Sequence, residues 1–264
     1  MATGGGCVPE SMTRLSVNLN KIALLRNSRR TGVPDVLRFA TLARSAGADG
    51  ITLHPRPDER HIRRDDVFAL AGQMRAWRPH FELNLEGYPD ERFVSLCSDV
   101  RPEQCTLVPD GPAAFTSEEG WKLDNTDRSV VSQAVSVLKS MGCRVIVFVD
   151  PDAGVVERVP VTGADGIEIY TGHYAAAARK GDPDTQLRAC AAAAQAATTR
   201  GLVVNIGHDL SLANIPPLVG ALPSLAEASI GHELTADALE RGFERAVMAY
   251  KNALSPAIAG SPGT

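Results

Sequence analysis

The run Gly50-Ile51-Thr52-Leu53-His54-Pro55-Arg56-Pro57-Asp58-Glu59-Arg60-His61-Ile62 carries the reading of the fold. Gly50 to Leu53 has the composition of a short buried strand: it follows a helical pattern closed at Gly47 and is stopped by two prolines that cannot continue a ladder. Directly past Leu53 the chain changes character, placing His54, Arg56, Asp58, Glu59, Arg60 and His61 on a loop stiffened by Pro55 and Pro57. A strand that ends in a burst of titratable groups reads as the rim of an active site. A solvated charged loop is the plain alternative, and the rest of the chain decides between them.

The same grammar recurs in both directions. Upstream, Leu15 to Leu19 reads as the first strand, followed by Asn20, Lys21, Arg26, Asn27, Arg29 and Arg30, and then by a helix from Pro34 to Ala46. Downstream, the pattern predicts a helix over Asp65 to Trp77, a strand over Phe81 to Leu85 ending at Glu86-Gly87, and a helix from Pro89 to Ser98. Strand four, Gln104 to Val108, runs into a long loop, Pro109 to Leu123. A helix from Asp127 to Met141 then leads to strand five, Arg144 to Val149, which stops at Asp150-Pro151. Strand six, Gly166 to Ile169, carries Glu168 and opens a second long loop that reaches about Pro183, before an alanine-rich helix over Thr185 to Thr199. Strand seven, Leu202 to Ile206, ends in Gly207-His208-Asp209, and strand eight, Ala226 to Ile230, ends in Gly231-His232-Glu233. One amphipathic helix, Ala236 to Leu254, is predicted last.

Eight strand-then-helix units with no break in composition predict an α/β chain closed as a (β/α)8 TIM barrel, one catalytic domain over residues 14–254 between flexible tails at 1–13 and 255–264. An open doubly wound sheet is the runner-up, but Asn-Leu-Asn-Lys stands where such a sheet displays its glycine-rich phosphate loop.

Composition excludes several classes. With 27 basic and 31 acidic residues the chain is mildly acidic, which argues against nucleic acid and against a polybasic membrane patch; an anionic ligand must be held by a local cluster. No apolar run approaches the ~18 residues of a membrane span, and Met1 to Glu10 lacks a leader's basic and apolar regions, so a cytoplasmic location is expected. Cys7, Cys97, Cys105, Cys143 and Cys190 are odd in number, widely spaced and without a C-x-x-C, as expected of thiols in a reducing compartment.

The barrel reading makes a chemical prediction: reactive side chains crowd the carboxyl ends of the strands. Of the six histidines, His54, His61, His173, His208 and His232 fall at, or in the loop after, a predicted strand end, and only His80 lies on the approach side. Glu86 and Asp150 obey the same rule, as do Asn18, Asn20 and Lys21. A satisfied core histidine is the ordinary reading of any one of these, but five on one face point to a shared pocket. His54, His208, Glu86 and Glu168 form a candidate proton-handling set. The Gly207-His208 and Gly231-His232 turns allow close backbone approach to an anion, at the place where barrels often hold phosphate. Arg26, Arg29, Arg56 and Arg60 are candidates for a second phosphate clamp, with surface solvation as the alternative for Arg26 and Arg60. A catalytic metal is not expected, because closely spaced ligands such as His-x-His are absent. A Schiff-base lysine and a nucleophilic cysteine are poorly served by the positions available.

The segments Val17 to Arg29, Gly50 to His61, Asn84-Leu85-Glu86, Leu107-Val108-Pro109, Ile167 to Gly172, Val204 to His208 and Ile230-Gly231-His232 together resemble the pyridoxine 5'-phosphate synthase family. The resemblance runs from about Leu15 to Leu254 and touches every strand end. It implies a (β/α)8 barrel that joins 1-deoxy-D-xylulose 5-phosphate to 3-amino-2-oxopropyl phosphate, releasing phosphate and water and closing the pyridine ring of vitamin B6. It also implies no metal or organic cofactor, and a homo-oligomer, an octamer.

By the same resemblance His54 and Glu86 are general bases, His208 is the general acid and Glu168 assists the transition state. Asn18, Arg29, Asp209 and the Gly231-His232 turn would hold the amino-ketone phosphate, while Asn20, Lys21, Arg56, His61 and Thr116 would contact the xylulose phosphate, with Thr116 closing from a lid at Pro109 to Leu123. The chain departs from the family pattern in two places: Asn20-Lys21 replaces Asp-His, and Asp209 replaces Gly. Two rival functions stay open at this stage, another phosphosugar isomerase or aldolase of the same fold, and a phosphometabolite-binding protein without catalysis.

Overall fold

The computed structural model describes residues 12–110, 118–222 and 224–255. Eight parallel strands close into a barrel in sequence order: β1 (Arg14–Asn18), β2 (Gly50–Leu53), β3 (Glu82–Gly87), β4 (Gln104–Leu107), β5 (Arg144–Val149), β6 (Gly166–Tyr170), β7 (Val203–Gly207) and β8 (Leu225–Ile230). Closure is made by β1 against β8, with Leu15 opposite Ala228 and Val17 opposite Ile230. The (β/α)8 barrel expected from the alternation is therefore the fold.

Side chains alternate along each strand, and the alternation sorts the core into two layers. Leu15, Val17, Ile51, Leu53, Leu83, Leu85, Val145, Val147, Ile167, Ile169, Val204 and Ile206 are buried among the apolar faces of the helices. The other face of the strands fills the lumen, and the lumen is polar. Ser16 and Thr52 hydroxyls meet at 2.7 Å, Asn84 Nδ2 donates to Thr52 at 3.2 Å, Thr106 donates to Asn84 at 3.2 Å, and Ser229 reaches Thr52 at 3.2 Å. Below them Gln104 crosses the barrel, donating to Glu227 at 2.9 Å and accepting from Asn205 at 3.3 Å. At the amino-terminal end Glu82 accepts from Arg14 and Arg144, each at 2.5 Å. Buried polar groups cost little only when paired, and these partners link seven of the eight strands, although Asn205 Oδ1 has no partner among the described residues.

Four local features differ from the sequence expectation. Asn20–Asn27 forms a helix where no element was predicted, with Asn18 Oδ1 accepting from the Asn20 N–H at 2.9 Å. The expected long loop after β6 holds the helix Gly172–Arg179. Short helices at Ala153–Val156, Val159–Thr162 and Ile215–Ala221 fill connections that carried too few periodic residues to be predicted. The single last helix is two, His232–Arg241 and Phe243–Ala253, because Gly242 adopts φ +85° and breaks the hydrogen-bond ladder between them.

Candidate active site

The carboxyl ends of the strands surround a cavity of about 450 Å³. Into it project Asn18 from β1, His54, Arg56 and His61 from the segment after β2, Glu86 from β3, Glu168 from β6, His208 and Asp209 from the turn after β7, and Gly231-His232 after β8. Asn20 and Lys21, at the start of the helix that follows β1, complete the wall. Residues up to 214 positions apart in the chain, Asn18 and His232, thus share one chamber.

Local geometry fixes each group. Asn20 Oδ1 accepts from the backbone N–H of His54 at 2.9 Å, so its side chain ties the first helix to the end of β2. Arg26 is buried, not solvated: it forms a two-pronged pair with Asp66, at 2.5 and 2.8 Å, and donates to the His61 carbonyl at 3.2 Å. Asn27 Nδ2 reaches the carbonyls of Arg60 and His61. The loop after β2 is therefore stapled by side chains of the helix before it. His208 and Asp209 both have positive φ, +82° and +54°. Thr171 Oγ1 holds the carbonyls of Gly207 and His208 at 2.5 and 2.6 Å, and Asn214 Nδ2 holds that of Asp209 at 3.1 Å.

Burial sets the protonation. His54 Nδ1 lies 3.8 Å from Glu86 Oε1, and both side chains are almost fully enclosed. Loss of water pushes the Glu86 carboxyl up to about 8, helped by the nearby charge of Asp110 and opposed by Arg56. Glu168 is raised well above the carboxylate range by burial, then by Glu86 and Glu227. His54 is held well below the usual imidazole range, first by burial and then by His61 and Arg56. His61 is lowered to about 4 by burial, Arg56 and Lys21. His208 is lowered by burial. At neutral pH the chamber thus holds neutral imidazoles, a protonated Glu168 and a Glu86 poised between acid and base, against the cations Lys21, Arg56 and Arg60.

His208 packs between Phe148 and Tyr170, ring centroids 5.0 and 5.4 Å away, and its Nδ1 is buried with no hydrogen-bond partner among the described residues. A Cβ on Gly207 would lie 2.1 Å from Glu168 Oε1, so the absence of a side chain there makes the room for the carboxyl. Gly231 begins the helix His232–Arg241, and a Cβ there would press on Asn18 at 3.0 Å. At the outer rim Arg179 bridges two carboxylates, Asp209 at 3.5 Å and Glu233 at 3.3 Å.

One expected contact falls outside this assembly. Arg29 is exposed and does not line the cavity. Thr116 lies outside the described residues, as do residues 111–117 of the Pro109 to Leu123 segment. His173 is exposed and stacks edge-on against Tyr170 at 5.1 Å without lining the chamber. Tyr170 and Ser229 line it and were not anticipated, although strand periodicity could have found them: each lies two residues from an expected group, Glu168 and Gly231, on the same face of the chain. Among the described residues no group of His, Cys, Asp and Glu is arranged to hold a metal ion.

The model of the pyridoxal phosphate biosynthesis protein PdxJ matches residues 15–256, every barrel strand but the first residue of β1. The chain belongs to the PdxJ family. Among its relatives, the pyridoxine 5'-phosphate synthase of Bacteroides fragilis (strain YCH46) is 46% identical over 243 residues, 92% of this chain and 100% of that one. The pyridoxine 5'-phosphate synthase of Allorhizobium ampelinum (strain ATCC BAA-846 / DSM 112012 / S4) is 46% identical over 243 residues, 91% of this chain and 97% of that one. A solved tryptophan synthase from M. tuberculosis superposes with a TM-score of 0.64, covering 94% of this chain and 95% of that one at 10% identity, a likeness of fold alone.

Proposed function

We propose that this chain is a pyridoxine 5'-phosphate synthase, condensing 1-deoxy-D-xylulose 5-phosphate with 3-amino-2-oxopropyl phosphate to pyridoxine 5'-phosphate, phosphate and water. The observation that carries the reading is the meeting of His54, Glu86, Glu168 and His208, drawn from four strand ends, in one cavity of a PdxJ-family barrel. The reaction requires repeated proton transfers, and groups tuned toward neutrality supply them.

In this reading neutral His54 and ionised Glu86 are the bases. A base titrating near the working pH combines availability with strength, which suits Glu86 at about 8. His208, neutral and enclosed by Phe148 and Tyr170, donates from its ring N–H. Glu168, kept protonated by burial, steadies charge that develops on a substrate oxygen. Asn18, the backbone of Asp209 and the Gly231-His232 turn cradle the amino-ketone phosphate, with Arg29 as a further contact. Lys21, Arg56 and His61 receive the xylulose phosphate, together with Thr116. Asn20 takes a supporting part, since its carboxamide oxygen is engaged by His54. No metal or organic cofactor enters this scheme.

A catalytic domain over residues 14–254 between two tails, a cytoplasmic location and a homo-octamer complete the reading. Cys97, Cys105, Cys143 and Cys190 are free and buried, as suits a reducing compartment, and no helix among the described residues is long and apolar enough to cross a membrane.

Purified protein supplied with both substrates, followed for product and released phosphate, tests the proposal. Formation of both only when the two substrates are present is expected. Turnover of a single phosphoketose without the amine would replace it with an isomerase or aldolase, and binding without turnover with a carrier.

A further inference from the structure

Arg56 is a cation with its counter-ion inside the protein. Its side chain is 3% exposed, and Nη1 donates to Asp110 Oδ2 at 2.9 Å, a carboxylate on a side chain that is 4% exposed. The partners arrive from different places: Arg56 from the segment after β2, Asp110 from three residues beyond the end of β4. In the barrel β3 lies between those two strands, hydrogen-bonded to both, and Glu86 sits at its carboxyl end. The ion pair therefore spans the mouth edge of β3.

We propose that Asp110 is a positioning residue of this site, holding the Arg56 guanidinium across the end of β3 and setting the charge that Glu86 faces. The inference rests on the synthase reading of the mouth and names a member of it that touches no reacting atom. Two consequences follow from the geometry. A guanidinium paired to a buried carboxylate is fixed in direction, so it meets a phosphorylated ligand without a search over rotamers. Its charge is also offset, so Arg56 orients a ligand more than it attracts one, leaving attraction to Lys21.

The second consequence concerns Glu86, which faces His54 at 3.8 Å and Arg56 from the β2 side, Asp110 from the β4 side and Glu168 from β6. Asp110 acts with burial to hold the Glu86 proton on, and Arg56 acts against both. Removing the Asp110 charge takes away one of the two influences that hold the proton on Glu86, and the carboxyl ionises at lower pH. A partner that only braced the fold would leave that ionisation where it was.

Asp110→Asn and Asp110→Glu, each in the full chain, test this by two readouts. The first is the titration midpoint of Glu86 followed by carboxyl carbon NMR on protein labelled at glutamate, with Glu86→Gln identifying the signal. The second is the pH profile of kcat/KM together with KM for the xylulose phosphate. Asp110→Asn is expected to lower the Glu86 midpoint and the matching kinetic limb by about one pH unit, and Asp110→Glu to keep the limb while raising KM several-fold as the longer side chain displaces Arg56. A folded Asp110→Asn with an unmoved Glu86 midpoint overturns the proposal. If that variant does not fold, wild-type KM in Asp110→Glu overturns it. Because NMR needs no turnover, a shifted midpoint in a protein that makes no product would sink the synthase reading and leave the coupling of Asp110 to Glu86 standing.

Discussion

The guanidinium of Arg179 stands 3.5 Å from the carboxylate of Asp209 and 3.3 Å from that of Glu233, so one cation on the rim offsets two anions beside the turn where a phosphate would sit. Asp209 lines the cavity, and without Arg179 beside it its carboxylate would repel a dianion.

Arg179→Gln is therefore expected to raise KM for 3-amino-2-oxopropyl phosphate while leaving kcat close to unchanged. Arg179 is half exposed, and exposed ion pairs contribute about 0.2–1 kcal/mol, so the rise is about two- to five-fold and shrinks in high salt. Asp209→Gly added to that variant is expected to restore KM. An equal loss with glycine at 209 would show that Arg179 acts by some other route.

The pH dependence of the free enzyme follows from Glu86. A base must be ionised, so with a carboxyl titrating at about 8, kcat/KM climbs with pH by about ten-fold per unit below that value and levels above it. The same shift acts on stability in the opposite sense. The folded chain keeps a proton on Glu86 that the unfolded chain loses in the ordinary carboxyl range near 4.5, so this group's contribution falls as pH rises from there to about 8. Glu86→Gln removes both effects: its unfolding free energy should vary less between pH 5 and 8 than that of the wild type, and turnover should be lost at every pH. A kinetic limb near 8 that persists in Glu86→Gln would assign it to another group.

Gly207→Ala places a methyl 2.1 Å from Glu168 Oε1, so the end of the Glu168 side chain must move within the chamber it lines. Shifting the tip of one side chain beside a cavity costs about 1 kcal/mol or less, so a small fall in melting temperature is expected together with a loss of turnover larger than the loss of stability explains. Shortening the acid to Asp in the same chain should recover stability without recovering activity. Melting curves and rates of the two variants decide it.

Asp66→Ala leaves the buried Arg26 without its partner and also removes the acceptor for the Arg63 N–H. Breaking a buried pair from one side costs about 3–5 kcal/mol, which denaturant unfolding will measure. Since Arg26 also holds the His61 carbonyl, KM for the xylulose phosphate should rise in whatever fraction remains folded. A surface-like change of under ~0.5 kcal/mol would mean that the pair is solvated after all.

Much of this was legible in the chain. Several strand ends announced themselves because an apolar run gives way to titratable residues within one or two positions, as at Leu53-His54 and Ile206-Gly207-His208, and eight strand-then-helix units leave few topologies besides a barrel. The roles of the arginines were less legible, because burial depends on partners far away in sequence: Arg26 finds Asp66 and Arg56 finds Asp110, 40 and 54 residues on. Short helices such as Ile215–Ala221 escaped for a different reason, since two turns hold too little pattern to separate helix from loop. The split of the last helix rested on a single glycine, Gly242, whose φ of +85° no periodicity reveals.

The polar lumen has a consequence for how the barrel assembles. Gln104 can serve Glu227 and Asn205 together only when β4, β7 and β8 stand at their final heights, and Ser229 reaches Thr52 only once β8 has come round to β1. An aliphatic filling would reward nearly any closure that hid it from water. Here a strand seated two residues too high would trap amides and carboxyls without mates, so the lumen acts as a proofreader of its own construction, and the fidelity it enforces is what delivers four distant side chains to one point at the rim.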